Sequence, residues 1–340
     1  MTATLTHTPA ELALIDALDG ATGWQAQLRE ATRRDGLPTR RHELWKWSDL
    51  RRAANDVTAP GRMTVTGLET PVTDGAHIEL GVTASTGASA ADASLVIPAG
   101  ASVTLVERYS AEAAALGNWH LAITLEENAR LDRIIIAPDE AAGVFISSAE
   151  ITLAQGAHLH QRSLDFGGRL SRIETHVTHP GEGALVDLGG VYLLDSDRHA
   201  DTTTVVHHTG PGGVTQQLVK GAAAAKGHGV FQGKFIVDRA AQQTDARMTH
   251  RAMMLDDRAE IDAKPELEIY ADDVQCAHGN ALGALDETAL FYMRQRGIPA
   301  PRARALLIES FLAEPLDAIA DETLREDLKA QLRTRLEALS

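Results

Sequence analysis

The chain has 340 residues, 47 acidic against 32 basic side chains, a formal charge of −15 and one cysteine, Cys276. The acidic balance argues against a nucleic-acid surface, which needs a basic stripe, and a single cysteine excludes an intrachain disulfide framework. No apolar run approaches the ~18 residues of a membrane span, and the first residues have no basic n-region or apolar h-region, so a cytoplasmic location without membrane contact is expected.

Residues 1–61 read as a helical segment. Thr8-Pro9-Ala10-Glu11 supplies an N-cap, a proline at the first helical position and a capping-box glutamate. Leu12, Ile15 and Leu18 follow at helical spacing before Gly20. A second helix is predicted over 24–34, ending near Gly36. Trp45 and Trp47 then read as an aromatic plug that seats these helices on the next segment.

From 62 to 284 the pattern changes to short alternating runs such as Val103-Thr104-Leu105-Val106 and Leu121-Ala122-Ile123-Thr124-Leu125. Turn residues separate them every 8 to 12 positions, which is an all-β pattern. A unit of alanine, any residue and an aliphatic recurs at Ala101, Ala129, Ala157 and Ala184, at steps of 28, 28 and 27. Ala259 lies 75 residues further on, close to three more steps of 25. Sandwiches have no fixed period and solenoids do. The fold class expected is therefore mainly β, a right-handed parallel β-helix flanked by helical segments at both ends.

Residues 285–340 return to helix. Leu285 to Arg296 forms one, closed by Gly297 with Pro299 beyond; Pro301 opens a second; Asp321 caps a third with Leu324, Leu328, Leu332 and Leu336 as its apolar stripe.

Gly227-His228-Gly229-Val230-Phe231-Gln232-Gly233-Lys234-Phe235 is not a P-loop, because the spacing is short and Phe235 stands where a magnesium-binding Ser or Thr belongs. Its glycines are expected at corners of the β-helix. His176, His179, His199, His207 and His208 share no ligand spacing and read as strand histidines satisfied by neighbours. Asp132, Asp187 and Asp262 each follow the aliphatic of the repeat and could form a ladder on one face. Such a ladder is the basis of a competing reading, a β-helix polysaccharide hydrolase or lyase. No aromatic platform for sugars accompanies it.

The densest chemistry lies at Asp272-Asp273-Val274-Gln275-Cys276-Ala277-His278-Gly279. Side chains at i and i+2 of a strand leave the same face, so the thiol of Cys276 and the imidazole of His278 point together. Both are ligands for iron, copper or zinc. Two ligands do not complete a site, so any further ones come from a partner or from the bound group itself. The alternative is a packed thiol beside a hydrogen-bonded histidine.

Several blocks in order resemble one family: Phe231-Gln232-Gly233-Lys234-Phe235, Ala241 to Ala246, Lys264 to Ile269, Ala271 to Gly279, Leu285-Asp286, Leu290-Phe291-Tyr292 and Arg296-Gly297-Ile298, with Glu43 to Leu50 upstream. Together they resemble the SufB/SufD family of iron–sulfur cluster assembly proteins, and the Cys-x-His-Gly form resembles its SufD branch. The resemblance implies a non-catalytic scaffold subunit in a complex. It implies pairing with a SufB-like homologue through the β-helices and binding of a SufC ATPase through 285–340, where Leu285, Leu290, Phe291, Tyr292, Arg296, Leu307 and Phe311 are the expected contacts. It further implies that a nascent iron–sulfur cluster, transient and shared with the partner, forms at the interface with His278 and Cys276 as candidate ligands. No cluster is expected to be held stably by the isolated chain, which could form a homodimer.

Overall fold

Alternation of apolar and polar residues at period two gives strands that bury one face and expose the other. Here the buried faces of two long sheets meet each other. The computed structural model describes residues 6–137 and 141–339. It begins with helices α1 (Pro9–Ala17) and α2 (Gly23–Asp35), a 3-10 turn at Glu43–Trp45 and one helical turn, α3 (Leu50–Ala53). The strands are β1 (Met63–Thr66), β2 (His77–Ala84), β3 (Gly87–Ile97), β4 (Ser102–Ala111), β5 (Ala115–Leu125), β6 (Arg130–Ile136), β7 (Val144–Leu153) and β8 (His158–Asp165). They continue with β9 (Leu170–His179), β10 (Leu185–Leu194), β11 (His199–His208), β12 (Val214–Ala223), β13 (His228–Val237), β14 (Asp245–Met254), β15 (Glu260–Ile269) and β16 (Gln275–Gly283). Helices α4 (Glu287–Gln295), α5 (Ala300–Asp317) and α6 (Glu322–Ala338) follow.

The even-numbered strands and β1 form one sheet, in the order β1-β2-β4-β6-β8-β10-β12-β14-β16, and the remaining odd strands β3 to β15 form the other. The pairing is parallel except for β1 with β2. The chain therefore winds as a parallel β-solenoid of about 7 turns flanked by helices. Each turn contributes two strands, one to each sheet.

Register pairs Val144 with Leu170 and His228 with Glu260, so coils run from 26 to 32 residues. That drift corrects one expectation. Ala101, Ala129, Ala157 and Ala184 each precede an even strand, but Ala259 precedes β15 of the odd sheet. The same small-residue corner opens strands of either sheet, so the unit marks a turn without saying which sheet follows.

The interior is a continuous apolar core that includes Ile78, Leu105, Leu131, Leu159, Val186, Trp119, Ile123, Phe231 and Phe235. A polar network threads its middle. Arg133 Nε donates to Glu107 Oε1 at 2.5 Å, Arg133 Nη1 to Gln161 Oε1 at 2.8 Å and Gln161 Nε2 to Thr175 Oγ1 at 3.1 Å. The Tyr109 hydroxyl also donates to Glu107. A buried charge is tolerable only when paired and hydrogen-bonded in this way.

Of the glycines in the 227–233 stretch, Gly227 lies at the corner before β13 as expected, and the other two do not. Gly229 and Gly233 lie inside β13. A Cβ on Gly229 would fall 2.6 Å from the Tyr192 ring, and one on Gly233 would fall 2.4 Å from Met248 Sδ. Large inward side chains of the even sheet fill the space in which a side chain of the odd sheet would stand.

Both helical segments lie on outer faces of the sheets. Thr8 and Glu11 form the expected reciprocal capping box, with Thr8 N donating to Glu11 Oε2 at 2.7 Å. Leu14, Leu18, Leu37 and Leu50 then pack with Ala88, Leu116, Ile146 and Leu170 of the odd sheet. The plug is held by Trp45, which covers the Arg172 guanidinium at 4.2 Å, and by buried Ser48, whose hydroxyl donates to Asp201. At the other end Asp321 Oδ1 accepts from Leu324 N at 3.0 Å. Leu324, Leu328, Leu332 and Leu336 are buried together with Leu312 and Leu316 against Val106, Leu164 and Val191 of the even sheet. Each buried leucine contributes about 1.5–3 kcal/mol relative to exposure.

Candidate functional site

β15 and β16 are the last strands of their sheets, and no further strand pairs with them among the described residues. Such edges leave a row of backbone donors and acceptors open to another chain. On β14 the buried residues are Ala246, Met248, His250 and Ala252. Register places Cys276, His278, Asn280 and Leu282 of β16 directly beside them. Cys276 and His278 therefore share the face that continues the solenoid interior, as their spacing requires. With no coil beyond to cover that face, His278 and Leu282 are exposed.

Cys276 is half-buried against Val237, Ala241 and Ala271. Burial pushes its thiol pKa up, with the Asp245 carboxylate adding to the shift. A raised pKa disfavours the thiolate that binds metal. Among the described residues no third histidine, cysteine or carboxylate joins Cys276 and His278 in a ligand group. As a metal site the pair is incomplete among the described residues.

Two residues behind the edge complete the arrangement. His250 Nδ1 lies 2.8 Å from Asn280 Oδ1, and the Tyr192 hydroxyl lies 3.0 Å from His250 Nε2. Burial pushes the His250 pKa down to about 4, so the ring is neutral near pH 7. Asn280 Oδ1 can only accept, so the proton sits on Nδ1 and Nε2 accepts from Tyr192. The ring also stacks on Phe231, with centroids 4.8 Å apart. This chain Tyr192–His250–Asn280 was not apparent from spacing, although the alternation Cys276, His278, Asn280 carries the signal that Asn280 shares their face.

After β16, Asp286 caps α4 by accepting from Thr288 N and Ala289 N at 2.8 and 3.0 Å. The seven residues expected at the ATPase contact fall into two groups. Phe291 and Tyr292 are 57% and 66% exposed and stand edge to face, and Arg296 is exposed beside them. Leu285 and Phe311 pack on the core beneath α5 and α6, Leu290 lines a cavity with Ile308 and Leu336, and Leu307 is half-buried. Lys220 covers the Phe311 ring at 4.4 Å.

The expected ladder of three aspartates does not form. Asp132 and Asp187 lie on β6 and β10 with His160 of β8 between them, Nδ1 at 3.2 Å from Asp132 and Nε2 at 3.5 Å from Asp187. Arg162 Nη2 adds a bond to Asp187 at 2.7 Å. Asp262 is in the other sheet, on β15. The cause is the half-coil offset of Ala259 described above. Most of the strand histidines hydrogen-bond to neighbours as expected: His176 to Glu174, His179 to the Val214 carbonyl, His199 to Ser48 and His208 Nε2 to Thr215. His207 Nε2 only approaches Asp238 at 3.0 Å, and His208 Nδ1 has no hydrogen-bond partner among the described residues.

The molecule is thus a two-sheet parallel solenoid with flanking helices, with Cys276 and His278 side by side on its open edge strand. The chain belongs to the SUF-system SufBD family: the model for "SUF system FeS cluster assembly, SufBD core domain" matches residues 81–311. Among curated relatives, it is 31% identical to the iron–sulfur cluster assembly protein SufD of Escherichia coli, over 70% of this chain and 56% of that one. It is 32% identical to an iron–sulfur cluster assembly SufBD family protein of Synechocystis, over 69% and 54%. It is 30% identical to the chloroplastic protein ABCI7 of Arabidopsis thaliana, over 63% and 45%. The chain thus spans about half the length of these relatives. Membership supports a role in iron–sulfur cluster assembly and the likeness to SufD. No described helix is long and apolar enough to cross a membrane.

Proposed function

We propose that this chain is a non-catalytic scaffold subunit of an iron–sulfur cluster assembly complex. In this reading the open edges of β15 and β16 pair with a SufB-like homologue, by the strand addition that exposed sheet edges favour. The observation that carries the reading is the incomplete donor pair Cys276 and His278 on the inward face of an uncovered edge strand. The nascent cluster is cargo held between the two subunits. His278 is the donor with solvent access, and Cys276 contributes only if the partner's charge or metal lowers its raised pKa. No stable cluster is held by this chain alone.

The three parts of the chain then have separate tasks. Residues 1–61 cover the odd sheet, 62–284 carry the partner edge and the cluster ligands, and 285–340 receive a SufC ATPase. Phe291, Tyr292 and Arg296 supply the free surface for that contact, while Leu285, Leu290, Leu307 and Phe311 support it from beneath. ATP hydrolysis by that subunit acts through α4 and α5 on the neighbouring edge strand. The aspartate-ladder hydrolase has no observation in its favour, since its carboxylates are bridged by His160 and Arg162 or lie in different sheets.

The test is co-expression with the SufB and SufC homologues of the same source, pulling on a tag attached to this chain. Removal of 285–340 is unsuitable, because Leu312, Leu316, Leu328 and Leu332 cover the even sheet. Phe291→Ala with Tyr292→Ala touches only exposed rings. The proposal expects both partners with the unaltered chain, and loss of the ATPase alone with the double variant. A chain that is recovered without either partner contradicts it.

A further inference from the structure

We infer that His228, Glu260 and Asp262 form a binding site for one divalent transition-metal ion on the outer face of the odd sheet. The inference does not depend on the proposed scaffold role. Ile261 is buried inside the solenoid, so its neighbours Glu260 and Asp262 both leave the outward face of β15. Register sets His228 of β13 directly beside Glu260. An imidazole and two carboxylates thus meet at one place on adjacent coils. Each offers a ligand atom, and these atoms lie within 4.8 Å of one another. His228 Nε2 is 2.9 Å from Asp262 Oδ2. Metal–ligand bonds of about 2.0–2.2 Å place ligand atoms roughly 3–4 Å apart, so small side-chain rotations suffice.

The surroundings favour a cation. Neither Glu260 nor Asp262 is ion-paired with a lysine or arginine among the described residues, and Asp262 pairs with His228. The His199 ring packs on His228 with centroids 4.3 Å apart and planes tilted by 36°. His199 is not a fourth ligand through Nε2, which is engaged by Ser48 Oγ at 3.1 Å. The donor set selects among ions. One imidazole with two carboxylates suits zinc, manganese, iron(II) or cobalt, whereas copper(I) prefers sulfur and calcium takes six to eight oxygens. Glu260 is exposed, so water completes the coordination. A bound ion would tie β15, the edge strand of its sheet, to β13 through side chains as well as through the ladder.

The experiment uses the full chain without a histidine tag, carrying Cys276→Ser and His278→Ala to remove the other donor pair. Zinc or cobalt(II) is titrated by calorimetry, and Tm is recorded with and without the ion. The expected result is one saturable equivalent and a raised Tm. Asp262→Asn and Glu260→Gln, which keep shape and leave the interior untouched, weaken binding by about tenfold or more each. Absence of saturable binding, or binding unchanged in both variants, overturns the assignment.

Discussion

Asn280 on the exposed edge strand is held by His250 one coil behind it, Oδ1 to Nδ1 at 2.8 Å. The edge is therefore not a loose margin of the solenoid. Its middle is fixed by a neutral buried imidazole that is itself fixed by Tyr192. Asn280 lies two residues from His278 on the same face, so its bond to His250 helps to set the strand at the candidate ligand.

This relationship gives a pH dependence with a definite sign. The folded pKa of His250, about 4, lies below the ordinary value of 6.5, so the unfolded chain binds a proton before the folded chain does. Its stabilising contribution is complete above about pH 6.5 and is lost as pH falls towards 4. Within that window the group contributes a slope of about 1.4 kcal/mol per pH unit. His250→Gln is expected to lower stability at pH 7 and to flatten the pH profile by about that slope, measured by urea unfolding at several pH values. An unchanged profile would show that His250 does not titrate as a buried neutral ring.

Tyr192 gives a packing prediction. A Cβ on Gly221 would lie 1.8 Å from the Tyr192 ring, and one on Gly229 2.6 Å from it. Gly221→Ala is expected to cost about 1–3 kcal/mol or more through overpacking, read as a fall in Tm. Combining it with Tyr192→Leu, which empties the slot, should cost less than the sum of the two single changes. Strict additivity would mean that the ring is not what excludes the side chain.

The α6 stripe offers a third test. Leu328 of α6 is fully buried in the core that α5 and α6 share with the even sheet. Leu328→Ala is expected to destabilise by about 2–5 kcal/mol in the isolated chain. A destabilisation seen only in a complex would instead make the stripe a partner surface.

Much of this was legible in the sequence because it is written locally. The capping box at Thr8 and Glu11, the cap at Asp321 and the leucines at i+4 steps all involve neighbours within a turn or two of helix. The alanine corners at 101, 129, 157 and 184 reveal the coil because the three successive coils between them have nearly equal length. Beyond 184 the coils lengthen, so Ala259 and Asp262 fall in the odd sheet, out of line with the earlier units. Gly229 is explained by a ring 37 positions earlier, and His250 meets Asn280 thirty positions on. Such contacts depend on register, which no local spacing shows. Cys276 and His278 share a face as their spacing foretold. That the face is uncovered follows only from β16 being the last strand of its sheet.

The central claim is that His278 is a ligand completed by another subunit. Its most direct test is anaerobic cluster reconstitution on the co-purified complex, with iron and sulfide counted per complex, for the unaltered chain and for His278→Ala. Because His278 is exposed, the account predicts unchanged Tm and partner recovery in the variant, with cluster content lost. Full cluster content in an intact His278→Ala complex would contradict it.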